Sequence, residues 1–274
     1  MTTNHEMLLT DTLKQRAVML KLHGLLAHWH EISDAMVPWV IAWIDWEETE
    51  RNKRGLERRL RNARIGHFKS LSDFDWDWLK QLDRGIITEL MTLTFINEAS
   101  NAVFVGPNGV GKSTVAQNIA HHAVLRGYTV LFTTAAQMLN ELAAVDGDNA
   151  LRRRLKVYEQ PQLLVIDEVG YLSYGNRHAD LLFEIINRRY ETKSTIVTTN
   201  RPFSEWGEVF PSASCVVSLI DRLIHHAEII SFDGESYRMK EAKERSSQRA
   251  KTKTKSRAKK AVTTNVKRGE KNDA

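Results

Sequence analysis

Cysteine occurs once, as Cys215, in a chain of 274 residues. A single thiol excludes an intramolecular disulfide framework, and a chain of this length needs none, so a reducing compartment is expected. Long apolar runs are also missing. The most apolar stretch, Met36 to Ile44, is about half of the ~20 residues a membrane span requires, and Asp45 closes it. The opening residues, MTTNHEMLLTDTLKQR, lack the basic start and apolar stretch of a secretion signal. A soluble, cytoplasmic protein without membrane contact is therefore the expectation. No internal repeat is visible, and a hydrophobic fraction of 42% excludes wholesale disorder and collagen-like sequence.

The length points to one sizeable domain with an appendage, or to two small ones. The formal net charge of +5 averages unlike segments. From Lys243 onward, 12 basic and 3 acidic residues give +9, which leaves −4 for the rest of the chain. That tail has almost no large apolar residue to offset its ordering entropy, so disorder is expected over 243–274.

Residues 8–64 read as helical. Leu13, Leu20, Leu22, Leu25 and Leu26 recur at near-helical spacing, and Pro38 marks a break before a second helix. From Glu47 to Arg64 that helix sets Arg51, Arg54, Arg58 and Arg61 on one face and Leu56, Leu60 and Ala63 on the other. Residues 51–64 hold seven basic residues and one acid. Two readings stand side by side: a solvated helix face, or a ridge that contacts nucleic-acid phosphates. Residues 1–66 are thus expected to form a small helical domain that binds DNA or a partner. Residues 67–98 read as a connection. Trp76 and Trp78 there invite base stacking, but Asp73, Asp75 and Asp77 would repel phosphates, and simple packing is the favoured reading.

From Ala102 the pattern changes to strand-length β-branched runs at 102–106, 129–134, 162–169, 194–200 and 227–232. Helical segments, such as Lys112–Leu125 and Ala179–Tyr190, lie between them. Alternation of this kind predicts an α/β fold over 99–242, a parallel sheet covered on both faces.

The first strand runs into GPNGVGKS, Gly106 to Ser113, which fits the phosphate-binding loop pattern G-x-x-x-x-G-K-[ST]. Gly106, Gly109 and Gly111 let backbone N–H groups turn inward at a helix N-terminus, whose dipole favours anions. Lys112 is placed to reach the β- and γ-phosphates and the Ser113 hydroxyl to ligate Mg²⁺. Later in the chain, a run of four apolar residues ends in Asp167 and Glu168, at the carboxyl edge of the sheet where such folds bind ligands. Asp167 suits Mg²⁺, and Glu168 suits orienting and polarising an attacking water. Asn200, at the tip of the next strand, either holds that water or simply forms a turn before Pro202. Arg222 either pairs with Asp221 or completes a neighbouring subunit's site. The adjacent pairs His121-His122 and His225-His226 show no helical metal-ligand spacing, so no metal site is expected from them. Cys215 has no visible histidine-acid partners and is expected to be inert.

Taken together, GPNGVGKST, VLFTTAAQMLNEL, LLVIDEVGYL, TTNRPFSEWGEVF, LIDRLIHHAEII and GESYRMKE resemble the IstB-like transposition helper ATPases. These are AAA+ proteins similar to the helicase loader DnaC and the initiator DnaA. The likeness runs from about Leu13 to Glu241 and includes LKLHGL and ERRLRNARIGHFKSLSDFDW near the N-terminus. It implies an AAA+ P-loop ATPase core that uses ATP and Mg²⁺, with Gly106, Pro107, Asn108, Gly109, Val110, Gly111, Lys112, Ser113 and Thr114 around the nucleotide. It implies duplex DNA, bound without sequence specificity, a partner transposase and a homo-oligomer as partners. In that frame Asp167 and Glu168 are the second acidic motif, Asn200 the first sensor, Arg222 an arginine finger given in trans and Arg238 a second sensor. Three departures stand out: Asn108 replaces a usual proline, Arg201 follows the sensor asparagine where an apolar residue is usual, and too few residues remain for a full helical lid. A helicase loader, or a nucleotide-gated adaptor with incidental hydrolysis, are the alternatives.

Overall fold

The structure is a computed structural model that describes residues 2–79, 82–171, 175–210, 214–242 and 245–246, with side chains from residue 11 onward. The expected disorder of the basic tail falls almost wholly outside these residues. The chain divides into two compact units, Met1–Asn62 and Ala63–Ala274. No described helix is long and apolar enough to cross a membrane.

The first unit contains α1 (Thr2–Met19), α2 (His23–Ala27) and α3 (Val37–Ala63). Leu13, Ala17 and Leu20 of the first helical segment bury against Val40 and Ile44, with Leu22, Leu25 and Leu26 packed beside them. Arg16 fixes the pairing by forked donation to Glu48, at 2.8 and 2.6 Å, and a 2.5 Å bond to Asp45. α3 begins at Val37, fourteen residues before Arg51, with Pro38 in its first turn, where the missing N–H has no intrahelical partner to lose. Arg51, Arg54, Arg58 and Arg61 are exposed, as expected. The opposite face is less buried than its composition predicts: Ala63 is enclosed, but Leu60 remains 37% exposed. Arg51 also spends part of its donor capacity internally, on Glu47 and on the Leu20 carbonyl, both at 2.5 Å.

The second unit adds α4 (Arg84–Leu90), α5 (Thr94–Asn97), β1 (Asn101–Val105), α6 (Lys112–Leu125), β2 (Val130–Thr134), α7 (Ala135–Ala143), α8 (Asp148–Glu159), β3 (Leu163–Val169), α9 (Asn176–Arg189), β4 (Ser194–Thr199), α10 (Trp206–Val209), α11 (Val216–Ile224) and β5 (Ala227–Ser231). The five strands form one parallel sheet in the order β2-β3-β4-β1-β5. Each expected strand is present, within a residue or so at its ends. Val103, Leu131, Leu164, Ile166 and Val197 point to one face and bury against Met138, Leu142, Ile185, Leu219 and Trp206. The alternate residues face the other way, where α6 lies across β2, β3 and β4 and buries Val115, Ala116, Ile119 and Ala120. Both faces are covered, which explains why the central strands read as continuous apolar runs.

Residues 67–98 are more than a connection. Ile87, Leu90, Leu93, Phe95 and Ile96 are buried, and the Phe95 carbonyl accepts a 2.9 Å bond from the Ser194 hydroxyl at the start of β4.

Candidate active site

Parallel strands all end on one edge, so the chemistry-bearing residues at their C-terminal ends meet there. β1 lies between β4 and β5 and opens directly into the glycine loop, and α6 leaves it with Gly111 as its N-cap at φ 102°. The glycines are required by close approach. A Cβ on Gly106 would lie 2.0 Å from the Phe232 carbonyl oxygen, and one on Gly111 would lie 2.6 Å from the Phe74 ring.

Lys112 is buried and donates to the carbonyls of Gly106 and Pro107, at 2.7 and 2.8 Å. Burial pushes its ammonium pKa down to about 8; Asp167 opposes the shift and Arg238 adds to it. The Ser113 hydroxyl donates to Asp167 Oδ1 at 2.8 Å, and Thr198 Oγ1 donates to the same oxygen at 2.5 Å.

Glu168 occupies a special position. The β3–β4 register shifts between Ile166 and Val169, and Glu168 sits in this bulge with φ 62°. A bulge of this kind re-aims a side chain, and a left-handed glutamate persists only where its surroundings hold it. Here the amide of Glu168 donates to Thr198 Oγ1 at 2.9 Å, so one threonine fixes both acids. The glutamate side chain is exposed at the sheet edge while Asp167 is buried.

Asn200 follows β4, and its Oδ1 is buried without a hydrogen-bond partner among the described residues. A buried acceptor left unpaired costs about 1–3 kcal/mol, so this oxygen is poised for a donor from outside the chain. Arg201 turns away: its guanidinium pairs with Glu205 at 2.8 Å and lies 3.6 Å from Glu208.

Beside the loop lies a cavity of about 380 Å³, walled by Phe68, Phe74, Trp78 and Tyr237. Val110, Ser113, Thr114, Arg238 and Glu241 also line it. Two segments distant in sequence make this wall. The Trp78 indole donates to the Glu235 carbonyl at 2.7 Å, the Tyr237 amide donates to the Gly109 carbonyl at 2.9 Å, and Lys240 pairs with Asp75 at 2.8 Å. Lys69 pairs with Glu241. Asp75 is thus neutralised, so its charge does not exclude a phosphate-bearing ligand; Lys240 holds its carboxyl below the usual range. Trp76 stays outside the cavity, flanked by Phe74 and Arg84.

The structure therefore brings Gly109, Val110, Gly111, Lys112, Ser113, Thr114, Asp167, Glu168, Asn200 and Arg238 to one edge of one unit. Pro107 and Asn108 are exposed at the tip of the loop. Arg222 is not part of this cavity. It lies on α11 with its guanidinium 4.8 Å over the Phe183 ring, and among the described residues it makes no ion pair with Asp221. The Cys215 thiol lies 3.5 Å from Asp180, and burial raises its pKa. The sequence reading missed Thr198, Phe74 and Tyr237, and it weighed Trp78 but favoured simple packing for it. The aromatic density of 74–78 was the available signal.

The depressed Lys112 pKa has a measurable consequence. Phosphate binding needs the ammonium form, which predominates below about pH 7 and is lost as pH rises through the free protein's value of about 8. Nucleotide affinity is expected to be flat from pH 6.5 to 7.5 and to fall toward tenfold per unit above about pH 8.5. Calorimetry in buffers of different ionisation enthalpy would then show proton uptake on binding at pH 8.5; no uptake would contradict the assignment.

A five-stranded parallel sheet in this order, with a glycine loop at the end of β1 and paired acids at the end of β3, two strands away, gives the chain an AAA+ P-loop fold. Solved structures agree on the fold. A DNA replication initiation factor superposes with a TM-score of 0.51 at 22% identity, covering 65% of this chain and 54% of that one. DnaI superposes at 0.50 with 20% identity, covering 64% and 92%. The chain belongs to the family of IstB-like ATP binding proteins, whose model matches residues 9–245. It is 37% identical over 198 residues to the ATP-binding protein of insertion sequence IS21 from Pseudomonas aeruginosa, covering 72% of this chain and 75% of that one. It is 36% identical, over 72% of this chain and 79% of the relative, to the IS5376 counterpart from Geobacillus stearothermophilus.

Proposed function

We propose that this protein is an ATP-hydrolysing, duplex-DNA-binding helper of an insertion sequence. It assembles on DNA as an oligomer with ATP between subunits, and recruits or activates a partner transposase. The observation that carries the reading is the meeting of a buried lysine, a Ser113–Asp167 oxygen pair, an outward Glu168 and the unpartnered Asn200 oxygen at one edge beside an aromatic cavity.

Each residue takes a role its position supports. The aromatic wall holds the base, and Lys112 with the loop amides holds the phosphates. Ser113 and Asp167 present two hard oxygens suited to Mg²⁺, which when bound neutralises charge on the phosphate oxygens. Glu168 orients an attacking water and accepts its proton, and Asn200 Oδ1 accepts a hydrogen bond from the same water. Arg238 extends the cationic side of the cavity. Arg222, with no ion pair among the described residues and no place in its own chain's cavity, serves a neighbouring subunit's phosphates.

Two exposed basic surfaces suit DNA phosphates. Arg54, Arg58 and Arg61 project from α3, with Arg51 partly committed inside its own unit. In the second unit, Arg152, Arg153 and Lys156 of α8 line a groove with Asn149 and Arg188. The charge of Arg188 is taken by Glu184 and Glu159, at 2.7 and 3.0 Å, which leaves the three α8 cations for phosphates. Duplex affinity measured across a salt series tests this. Charge reversal of Arg152, Arg153 and Lys156 together, or of Arg54, Arg58 and Arg61 together, is expected to weaken binding. Each set should also flatten the log-log salt slope by about one for every phosphate no longer neutralised. A wild-type slope in both triple variants would sink the DNA-binding assignment of these surfaces.

A further inference from the structure

We propose a zinc-type metal site at the edge of the second unit, formed by Glu191, His225 and His226. His225 and His226 stand side by side at the junction of α11 and β5, and Glu191 lies in the turn that leads from α9 to β4. Neither segment suggests a site alone; folding supplies the third ligand from more than thirty residues away in sequence.

One ligand atom from each residue lies within 4.8 Å of the other two. Glu191 Oε1 is 3.8 Å from His225 Nδ1 and 3.6 Å from His226 Nε2. These separations are long for hydrogen bonds. They are close to the roughly 3.4 Å between donors that share a tetrahedral Zn²⁺ at 2.0–2.1 Å, and rotation of these exposed side chains, whose three ligand atoms already lie within 4.8 Å of one another, completes the geometry. The two imidazole rings are 4.0 Å apart between centroids. Glu191 adopts φ 54°, a left-handed conformation within the turn.

The donor set selects the cation. Two imidazoles and one carboxylate suit Zn²⁺ and its transition-metal neighbours, whereas Mg²⁺ prefers an all-oxygen shell. All three side chains are exposed, so a cation enters from solvent and a water fills the fourth position. Tyr190 completes the arrangement. Its ring stacks on His225, and its hydroxyl lies 2.7 Å from His225 Nδ1, the nitrogen a metal would take. Tyrosine and metal therefore compete for one atom. The ion would bridge the α9–β4 turn to the end of α11, three residues beyond Arg222, and so fix the helix that carries this arginine. The site itself does not depend on the role proposed for Arg222.

The test uses full-length, tag-free, chelator-stripped protein, titrated with Zn²⁺ alone against a chromogenic chelator, with millimolar Mg²⁺ present throughout. The expected result is one zinc equivalent that Mg²⁺ does not displace. Its affinity should drop at least tenfold in Glu191→Gln and in His226→Ala, and should stay unchanged in a His28→Ala/His30→Ala control. Tyr190→Phe is expected to bind more tightly, because the competitor for Nδ1 is gone. These residues are exposed, and circular dichroism confirms that each variant is folded. The proposal is overturned if no equivalent binds, or if the Glu191 and His226 variants bind as the wild type does. Weaker binding in Tyr190→Phe would overturn the choice of Nδ1.

Discussion

Glu168→Gln is expected to bind ATP almost as the wild type does and to hydrolyse it about 10²–10⁴-fold more slowly. The amide keeps the length and shape of the side chain but loses its ability to take a proton from water. The backbone argues that this side chain is aimed for a purpose. A non-glycine residue at φ 62° in a bulge costs about 1–3 kcal/mol, and Thr198 holds it there through the Glu168 amide. That same hydroxyl group donates to Asp167, so the two acids are set in fixed relation, one buried with Ser113 and one turned out. Phosphate release under saturating ATP, alongside direct measurement of ATP affinity, separates chemistry from binding. Wild-type turnover in Glu168→Gln would remove Glu168 from catalysis.

Arg189→Ala is expected to destabilise the second unit by at least ~3 kcal/mol. Arg189 is 1% exposed, at the end of α9. Its guanidinium donates to the carbonyls of Tyr158, Glu159 and Pro161 at 2.9, 3.0 and 2.8 Å, and to that of Ser194 at 2.5 Å. Its Nε donates to Thr195 Oγ1 at 3.0 Å. One side chain thus satisfies the C-terminal carbonyls of α8 and the chain entering β3 and β4. Truncation removes the donor from each of these acceptors, of which the Glu159 carbonyl retains Lys193 Nζ at 2.9 Å, and it opens a cavity as well. Arg189→Lys should recover little, because a single ammonium cannot span a fork of this width. Denaturant unfolding followed by circular dichroism measures the loss; a change below about 1 kcal/mol would contradict the account.

The contrast between these two arginine and glutamate sites shows what the sequence made legible. The glycine loop, Lys112, Ser113 and the Asp167-Glu168 pair lie in local patterns whose spacing has a physical reason, so they were readable from a few adjacent residues. The strands were readable because burial on both faces demands continuous apolar runs. Trp78, Tyr237 and Thr198 were not, since each acts through a partner far away in the chain. Trp78 meets Glu235 across 157 positions, and Thr198 meets Asp167 across 31. Arg189 reads as one more surface cation after Arg188, and only tertiary packing distinguishes the buried one. The three aspartates around Trp76 and Trp78 argued against base stacking with nucleic acid, but the Lys240 partner that neutralises Asp75 was invisible locally. Arg201 shows the reverse: it stands beside Asn200, yet Glu205, four residues on, takes its charge away from the site.

The central claim is that an ATP-hydrolysing site and a duplex-DNA surface belong to one machine. The most direct test is steady-state ATP turnover by the unaltered protein, measured with and without a long duplex of arbitrary sequence. The account predicts hydrolysis that rises several-fold with duplex DNA and that is abolished, in both conditions, by Glu168→Gln. Turnover indifferent to DNA, or absent altogether, would contradict it.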